Sequence, residues 1–259
     1  MANKHVFLPT LIGMSVRYRN FFYTEYYNRQ SGRDFSNDIA GKFINEQYQF
    51  LKEIIPYLPA KNKELEILDL GCGIGSLIAC CKNCGYKNLK GIDISDQQVE
   101  IAHQLKVKEV EKADIFTYLK DHEASFDVIS GMDIIEHFTK DELIDLIILI
   151  RNSLRKGGMA IFRTPNMDAP MANVFAMGDF THENFLNKNA AEQMMLSMDF
   201  KNVEVFPSFM YVKGRLKNFL RRMLWLKISY SIKLLLFATG RSSKHIILTP
   251  NLIIRAQKK

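Results

Sequence analysis

Apolar residues recur at helical spacing over 37–58 (NDIAGKFINEQYQFLKEIIPYL), a run that stops near Pro59 and follows an aromatic leader, YRNFFYTEYYNRQ, with no clear period. From residue 65 the pattern changes to short apolar runs that alternate with amphipathic stretches. LEILDLG (65–71), LKGIDIS (89–95), a weaker segment near Val110, residues 126–131 and MAIFRTP (159–165) read as buried strands. Between them SLIACCKNCG, closed by Gly85, then DQQVEIAHQLK and KDELIDLIILIRNSLRKGG (140–158) read as helices. Such alternation predicts a doubly wound, Rossmann-like α/β fold with a parallel sheet, because each parallel pair needs a crossover helix that covers a sheet face.

The last third departs from this rhythm. AAEQMMLSMDF reads as a helix, VEVFPSF as a strand, 214–239 as a basic amphipathic helix or pair of helices, and HIILTPNLIIRAQ as a closing strand or hairpin. One helical insertion between two late strands predicts a single domain over 1–259, with an N-terminal helical cap (1–60), a core (61–212), a basic helical insertion (213–240) and a closing strand (241–259). No internal repeat or low-complexity tract interrupts it.

The 259 residues are 47% apolar, ample for a core of this size. No basic stretch followed by an apolar one opens the chain, and the longest uncharged apolar runs fall short of the ~20 residues a membrane-spanning helix needs. A cytoplasmic protein is the expectation. Cys72, Cys80, Cys81 and Cys84 crowd into one short stretch; they are too close to staple a large domain and lack the second pair a zinc site wants, so they read as small helix residues. After Glu204 no acidic residue occurs, while twelve cations do, leaving 23 basic and 28 acidic side chains in the rest of the chain. The formal +7 is thus a −5 body with a +12 C-terminal segment, which points to a local anionic partner, including an anionic membrane face.

Two constellations carry candidate chemistry. In the first, DLGCGIG (Asp69, Gly71, Cys72, Gly73, Gly75) joins a strand to a helix, where backbone N–H groups cradle a ligand; the dinucleotide pattern GxGxxG would need glycine at Ser76. Asp93, followed by Ile94 at the end of the second strand, can accept hydrogen bonds from both hydroxyls of an adenosine ribose. Asp114 at the end of the third strand can accept from an adenine amino group, with the Ile115 N–H meeting a ring nitrogen.

The second lies in FDVISGMDIIEHF (126–138): a helix starting after Gly131 would put Asp133, Glu136 and His137 on one face. A capping box of Asp133 and Glu136 is the plain alternative. His137 is not needed for a cap, and GDFTHENF brings His182 after the fifth strand, at the same crevice. Two carboxylates and two imidazoles suit Mg²⁺, Mn²⁺, Zn²⁺ or Fe²⁺; without a metal, His137 or His182 is the candidate general base.

ILDLGCGIGSL, GIDIS, KADIF, FDVISGMDIIEHF and LRKGGMAIFRTPN together resemble the class I S-adenosylmethionine-dependent methyltransferases, over about residues 65–166. The resemblance implies a seven-stranded sheet ending in an antiparallel pair. It implies the glycine loop at the methionine end of the cofactor, Asp93 at the ribose, Asp114 and Ile115 at the adenine, and Ser130 and Gly131 lining it through backbone groups. D-x-x-E-H with a distant histidine is similar to the metal-binding E-x-x-E-H…H of small-RNA 3′-terminal 2′-O-methyltransferases, and its first part to that of ubiquinone-pathway O-methyltransferases. Residues 162–206 resemble methyltransferases of bacterial surface-polysaccharide and nucleotide-sugar pathways, which implies a nucleotide- or lipid-linked sugar as acceptor. RNA ribose, a quinone-type small molecule and a non-catalytic nucleotide-binding role stand as alternatives, and 214–239 as a peripheral membrane or homodimer contact.

Overall fold

The computed structural model describes residues 38–212 and 214–259. The aromatic leader and most of the expected cap fall outside them. The described chain begins with α1 (Ile39–Glu53), capped by the Asp38 carboxylate at the Gly41 N–H and followed by a 3₁₀ turn, Ile55–Tyr57, where Pro56 cannot donate to a further α-turn. Then come β1 (Glu66–Leu70), α2 (Ser76–Asn83), β2 (Asn88–Asp93), α3 (Asp96–Gln104), β3 (Val110–Lys112), α4 (Ile115–Lys120) and β4 (Phe126–Met132). A 3₁₀ turn (Ile135–His137) leads to α5 (Lys140–Ser153), β5 (Leu154–Pro165), α6 (Ala172–Ala176), α7 (Lys188–Ser197), β6 (Phe200–Ser208), α8 (Arg215–Ala238) and β7 (Asn251–Lys258).

These strands form a seven-stranded sheet of order β3-β2-β1-β4-β5-β7-β6. β1 to β5 are parallel, and β7 runs antiparallel between β5 and β6. The Rossmann-like expectation of a mixed sheet with an antiparallel last strand is therefore met. Two buried clusters cover its faces: Leu68, Leu70, Ile129, Phe162 and Phe200 pack with α5 and α7 on one side, and Ile67, Val128, Ile161 and Ile253 pack with α1 and α2 on the other. Alternate residues of each strand serve alternate faces, and each such side chain contributes ~1.5–3 kcal/mol of burial.

Two boundaries differ from the pattern. β5 starts at Leu154, inside the stretch that reads as a helix end, because Leu154 pairs with Phe126 across a bulge before regular pairing begins at Met159 and Val128. Residues 115–120 form a short helix, which had no period long enough to be read. The basic segment is one helix, and none of its side chains is buried. Among the described residues no helix is long and apolar enough to cross a membrane.

Candidate functional site

The carboxyl ends of β1, β2 and β4 carry the first constellation. Gly71, Gly73 and Gly75 all adopt positive φ, at 61°, 56° and 76°. A Cβ on Gly71 would lie 2.4 Å from Ile134 Cδ1, and one on Gly75 would lie 2.9 Å from methyls of Val107 and Val110. The loop is thus squeezed between the β4 exit and the α3–β3 connection, a fit that only glycine allows. The Gly73 N–H donates to Asp93 Oδ2 and the Ser95 N–H to Oδ1, each at 2.9 Å, so one buried carboxylate ties the loop to the end of β2. Burial raises the pKa of Asp93, and these backbone donors oppose the rise.

Asp69 lies beneath the loop and accepts from the Ser130 hydroxyl at 2.8 Å; burial pushes its pKa up to about 7. Cys72 turns its thiol into the core beside Ile78 and Val99, so its side chain does not face the crevice. Ile94 stands exposed next to Asp93. Asp114 is exposed and caps α4 through the Thr117 N–H, and the Ile115 N–H sits at the first helical position, where no intrahelical partner exists. Gly131 lies in the ladder between Leu70 and Phe162, and Ile134 packs over it.

This half fits an adenosyl cofactor. Its loop has no side chains where a ligand must approach, an acidic residue at the β2 end retains lone pairs, and the exposed Ile94 stands beside it.

The second constellation departs from the reading in one respect. Met132 ends β4, Asp133 takes a left-handed conformation (φ 54°) and a 3₁₀ turn follows, so no α-helical face unites residues 133, 136 and 137. Asp133 is drawn aside by Arg163, whose Nε donates to it at 3.0 Å, while Arg163 Nη1 reaches Glu53 Oε2 on α1 at 3.1 Å. Asp133 caps nothing either: the capping box here is Thr139 with Glu142, one turn later, at the start of α5. The metal-capable group among the described residues is Glu136, His137 and His182, with one ligand atom of each within 4.8 Å of the others; Asp133 is not in it.

Long-range contacts assemble that group. The Glu136 carbonyl accepts from the Glu183 and Asn184 N–H groups at 2.7 and 3.0 Å, which lays the 179–185 segment against the 3₁₀ turn. The rings of His137 and His182 then meet edge to face, 4.7 Å between centroids.

The hydrogen bonds fix both tautomers. His182 Nδ1 lies 2.6 Å from the Ala176 carbonyl, which only accepts, so Nδ1 carries the proton and Nε2 the lone pair. Thr181 donates its hydroxyl proton to Asp179 at 2.7 Å; its oxygen therefore accepts from His137 Nδ1 at 2.9 Å, leaving Nε2 as the lone-pair nitrogen there too. Burial, then the neighbouring His182, lowers the His137 pKa to about 4. Glu136 is buried, with Oε2 accepting from Thr164 at 3.2 Å and Oε1 without a hydrogen-bond partner; burial and Asp133 raise its pKa well above the usual range. A buried carboxylate oxygen with no donor beside two imidazole lone pairs fits a divalent cation. The Asp179–Thr181 support of His137, a feature typical of ligand histidines, left no mark in the sequence beyond the bare T-H pair.

With this geometry, the comparisons converge. The family model described as a methyltransferase domain matches residues 43–205, and the chain belongs to that family. It is a methyltransferase, with S-adenosylmethionine as methyl donor. The structure is similar to that of a SAM-dependent methyltransferase from Archaeoglobus fulgidus (19% identity, TM-score 0.62, covering 92% of this chain and 99% of that one). It also resembles a Thermotoga maritima SAM-dependent methyltransferase (16%, 0.60, 93% and 100%). A third neighbour is the magnesium protoporphyrin IX methyltransferase of Synechocystis PCC 6803 with bound SAH (17%, 0.57, 94% and 99%). At these identities the likeness is one of fold.

Proposed function

We propose that this methyltransferase acts on a hydroxyl of a nucleotide- or lipid-linked sugar, with a divalent ion held by Glu136, His137 and His182. The observation that carries the reading is the convergence of one ligand atom each from Glu136, His137 and His182 to within 4.8 Å of one another, with the Glu136 Oε1 buried and without a hydrogen-bond partner. When bound, S-adenosylmethionine supplies a methyl group already activated on a cationic sulfur. What the protein must add is alignment, and a way to weaken a sugar O–H bond at neutral pH. The glycine loop and Asp93 hold the donor at the ends of β1 and β2, with Ile94, Asp114 and Ile115 at its adenine. Ile134 links the two halves, since it packs on Gly71 and Gly131 and immediately precedes the turn that bears Glu136 and His137.

A conjugate acid near 4 makes His137 a weak base for a hydroxyl proton but keeps its imidazole neutral, the state a cation requires. This favours a ligand role over a base role. The cationic segment after Glu204 and the likeness over residues 162–206 support a phosphate-bearing sugar. A terminal RNA ribose is the second reading, favoured by the E-H…H motif.

Methyl transfer to nucleotide sugars, glycolipids and RNA, each with and without EDTA, tests the proposal, together with the melting temperature of the cofactor-free protein titrated with Zn²⁺, Mn²⁺ and Mg²⁺. Turnover of a sugar that EDTA removes and one of these ions restores, with ion-dependent stabilisation lost in His182→Ala, is the expected result. Unchanged turnover in EDTA refutes the metal, and turnover of RNA alone refutes the sugar.

A further inference from the structure

Helix α8 has 24 residues, six of them cationic and none acidic. At 1.5 Å per residue it is about 36 Å long. Its side toward the body is a narrow stripe of half-buried positions, where Trp225 meets the Phe209 ring at 6.2 Å and Ile232 and Leu236 continue the line. Much of the remaining circumference is apolar and open. Leu216, Phe219, Met223, Leu226, Leu234 and Phe237 follow one another at steps of three, four or eight residues and fall on a single arc, joined by Tyr230, and all of them are exposed. Arg215, Arg222 and Lys233 border that arc on one side; past its other margin, where Lys227 sits, exposed Leu220 and Leu224 widen the apolar face as far as Lys217, while Arg221 turns back to donate to the Met210 carbonyl at 3.0 Å.

Topology sets the edge from which this helix starts. Asn251 of β7 pairs with Pro165 at the end of β5 and with Ser208 at the end of β6, so both strands finish at one sheet edge, the carboxyl edge that carries the glycine loop and the histidines. α8 departs from that edge after residue 212. So does the 166–187 segment, with Met171, Phe175, Met177 and Phe180 exposed beside His182.

We propose that α8 docks the protein on an anionic lipid bilayer, lying in the interfacial plane with the Leu216–Phe237 arc inserted and the catalytic edge turned toward the membrane. Charge decides the occupant. A second copy of the helix would bring six cations against six with no carboxylate to pair them, the reverse of the complementary flanks of a coiled coil. A spanning orientation would carry those cations through hydrocarbon. An anionic surface receives the apolar arc and pairs both flanks at once. On the sugar reading given above, which this inference extends, the acceptor is then the lipid-linked form, presented by the bilayer.

Flotation of the full-length protein with vesicles of phosphatidylcholine, alone or mixed with phosphatidylglycerol, tests the docking with no methyl acceptor present, so its outcome is separate from that of the sugar reading. Binding to the mixed vesicles that falls with added salt is expected. Arg222→Gln with Lys233→Gln should weaken it roughly 30-fold at ~1 kcal/mol per basic residue, and Met223→Glu with Leu226→Glu should abolish it. Each variant should keep the wild-type thermal shift with S-adenosylmethionine, as evidence that it folds. Failure of the wild type to float, equal flotation of the Glu variant, or a wild-type dimer by light scattering that the Glu variant converts to monomer overturns the proposal; in the last case the face belongs to a second copy.

Discussion

The proposed donor and acceptor halves of the site are built in opposite ways. On the donor side, Gly71 to Gly75 and Asp93 sit on consecutive strand–turn–helix units, and their contacts are backbone contacts between neighbouring strands. On the acceptor side, Glu136 and His137 become a group with His182 only through a segment some forty-five residues away, held by backbone bonds to the Glu136 carbonyl. Donor geometry is thus inseparable from the sheet, whereas acceptor geometry rests on a loop docked over it. A fold that keeps the donor fixed can change its acceptor by changing that loop.

The two halves should fail separately. Glu136→Ala and His137→Ala are expected to lower kcat by roughly 10³-fold or more, the scale of a lost electrostatic or general-acid/base contribution, while calorimetry shows donor affinity within about threefold of wild type. Loss of donor affinity of the same size would mean that the halves are not independent. Asp93→Ala inverts the pattern: two charge-assisted hydrogen bonds at ~1.5–3 kcal/mol each imply donor binding weaker by ~100-fold or more.

Thr181→Val probes the support of the acceptor half. It leaves His137 Nδ1 without its acceptor, and a kcat about 10- to 100-fold lower is expected, with rescue by Ser; an unaffected Val variant would show that the Asp179–Thr181 link positions nothing. Gly75→Ala probes the donor turn. With φ at 76° and two valine methyls at 2.9 Å, it should cost about 1–3 kcal/mol, a fall in Tm of roughly 2–12 °C in thermal scans.

The last effect is a pH dependence of stability. Asp69 keeps its proton in the folded protein up to about pH 7, against an ordinary value of 3.8. Between these values the unfolded chain has released the proton and the folded one has not, so this group's contribution to stability falls as pH rises and levels off above about 7. Asp69→Asn should therefore melt above the cofactor-free wild type at pH 8 and alongside it near pH 4, measured by calorimetry.

How much of this was legible follows the same division. LEILDLG, GIDIS and FDVISG carry their burial in near-continuous apolar runs, and GxGxG carries its turn, because strand period and positive φ are local properties of the chain. The placing of Glu136, His137 and His182 near one crevice was also readable, from the order of strands. Asp133 was not, since an i, i+3, i+4 argument presumes an α-helix, and the chain makes a left-handed residue and a 3₁₀ turn instead, with Arg163 competing for the carboxylate. The β5 start at Leu154 and the short α4 escaped because a bulge and a six-residue helix have too few periods to register.

The sequence by itself determined the order of strands and helices, the bare loop beside Asp93 and the cationic last segment, all fixed by side-chain type and spacing along the chain. Tertiary structure alone decided which of four polar residues converge, which imidazole nitrogens present lone pairs and which face of α8 stays open. Those depend on hydrogen bonds and packing between segments far apart in sequence, whose geometry no local pattern encodes.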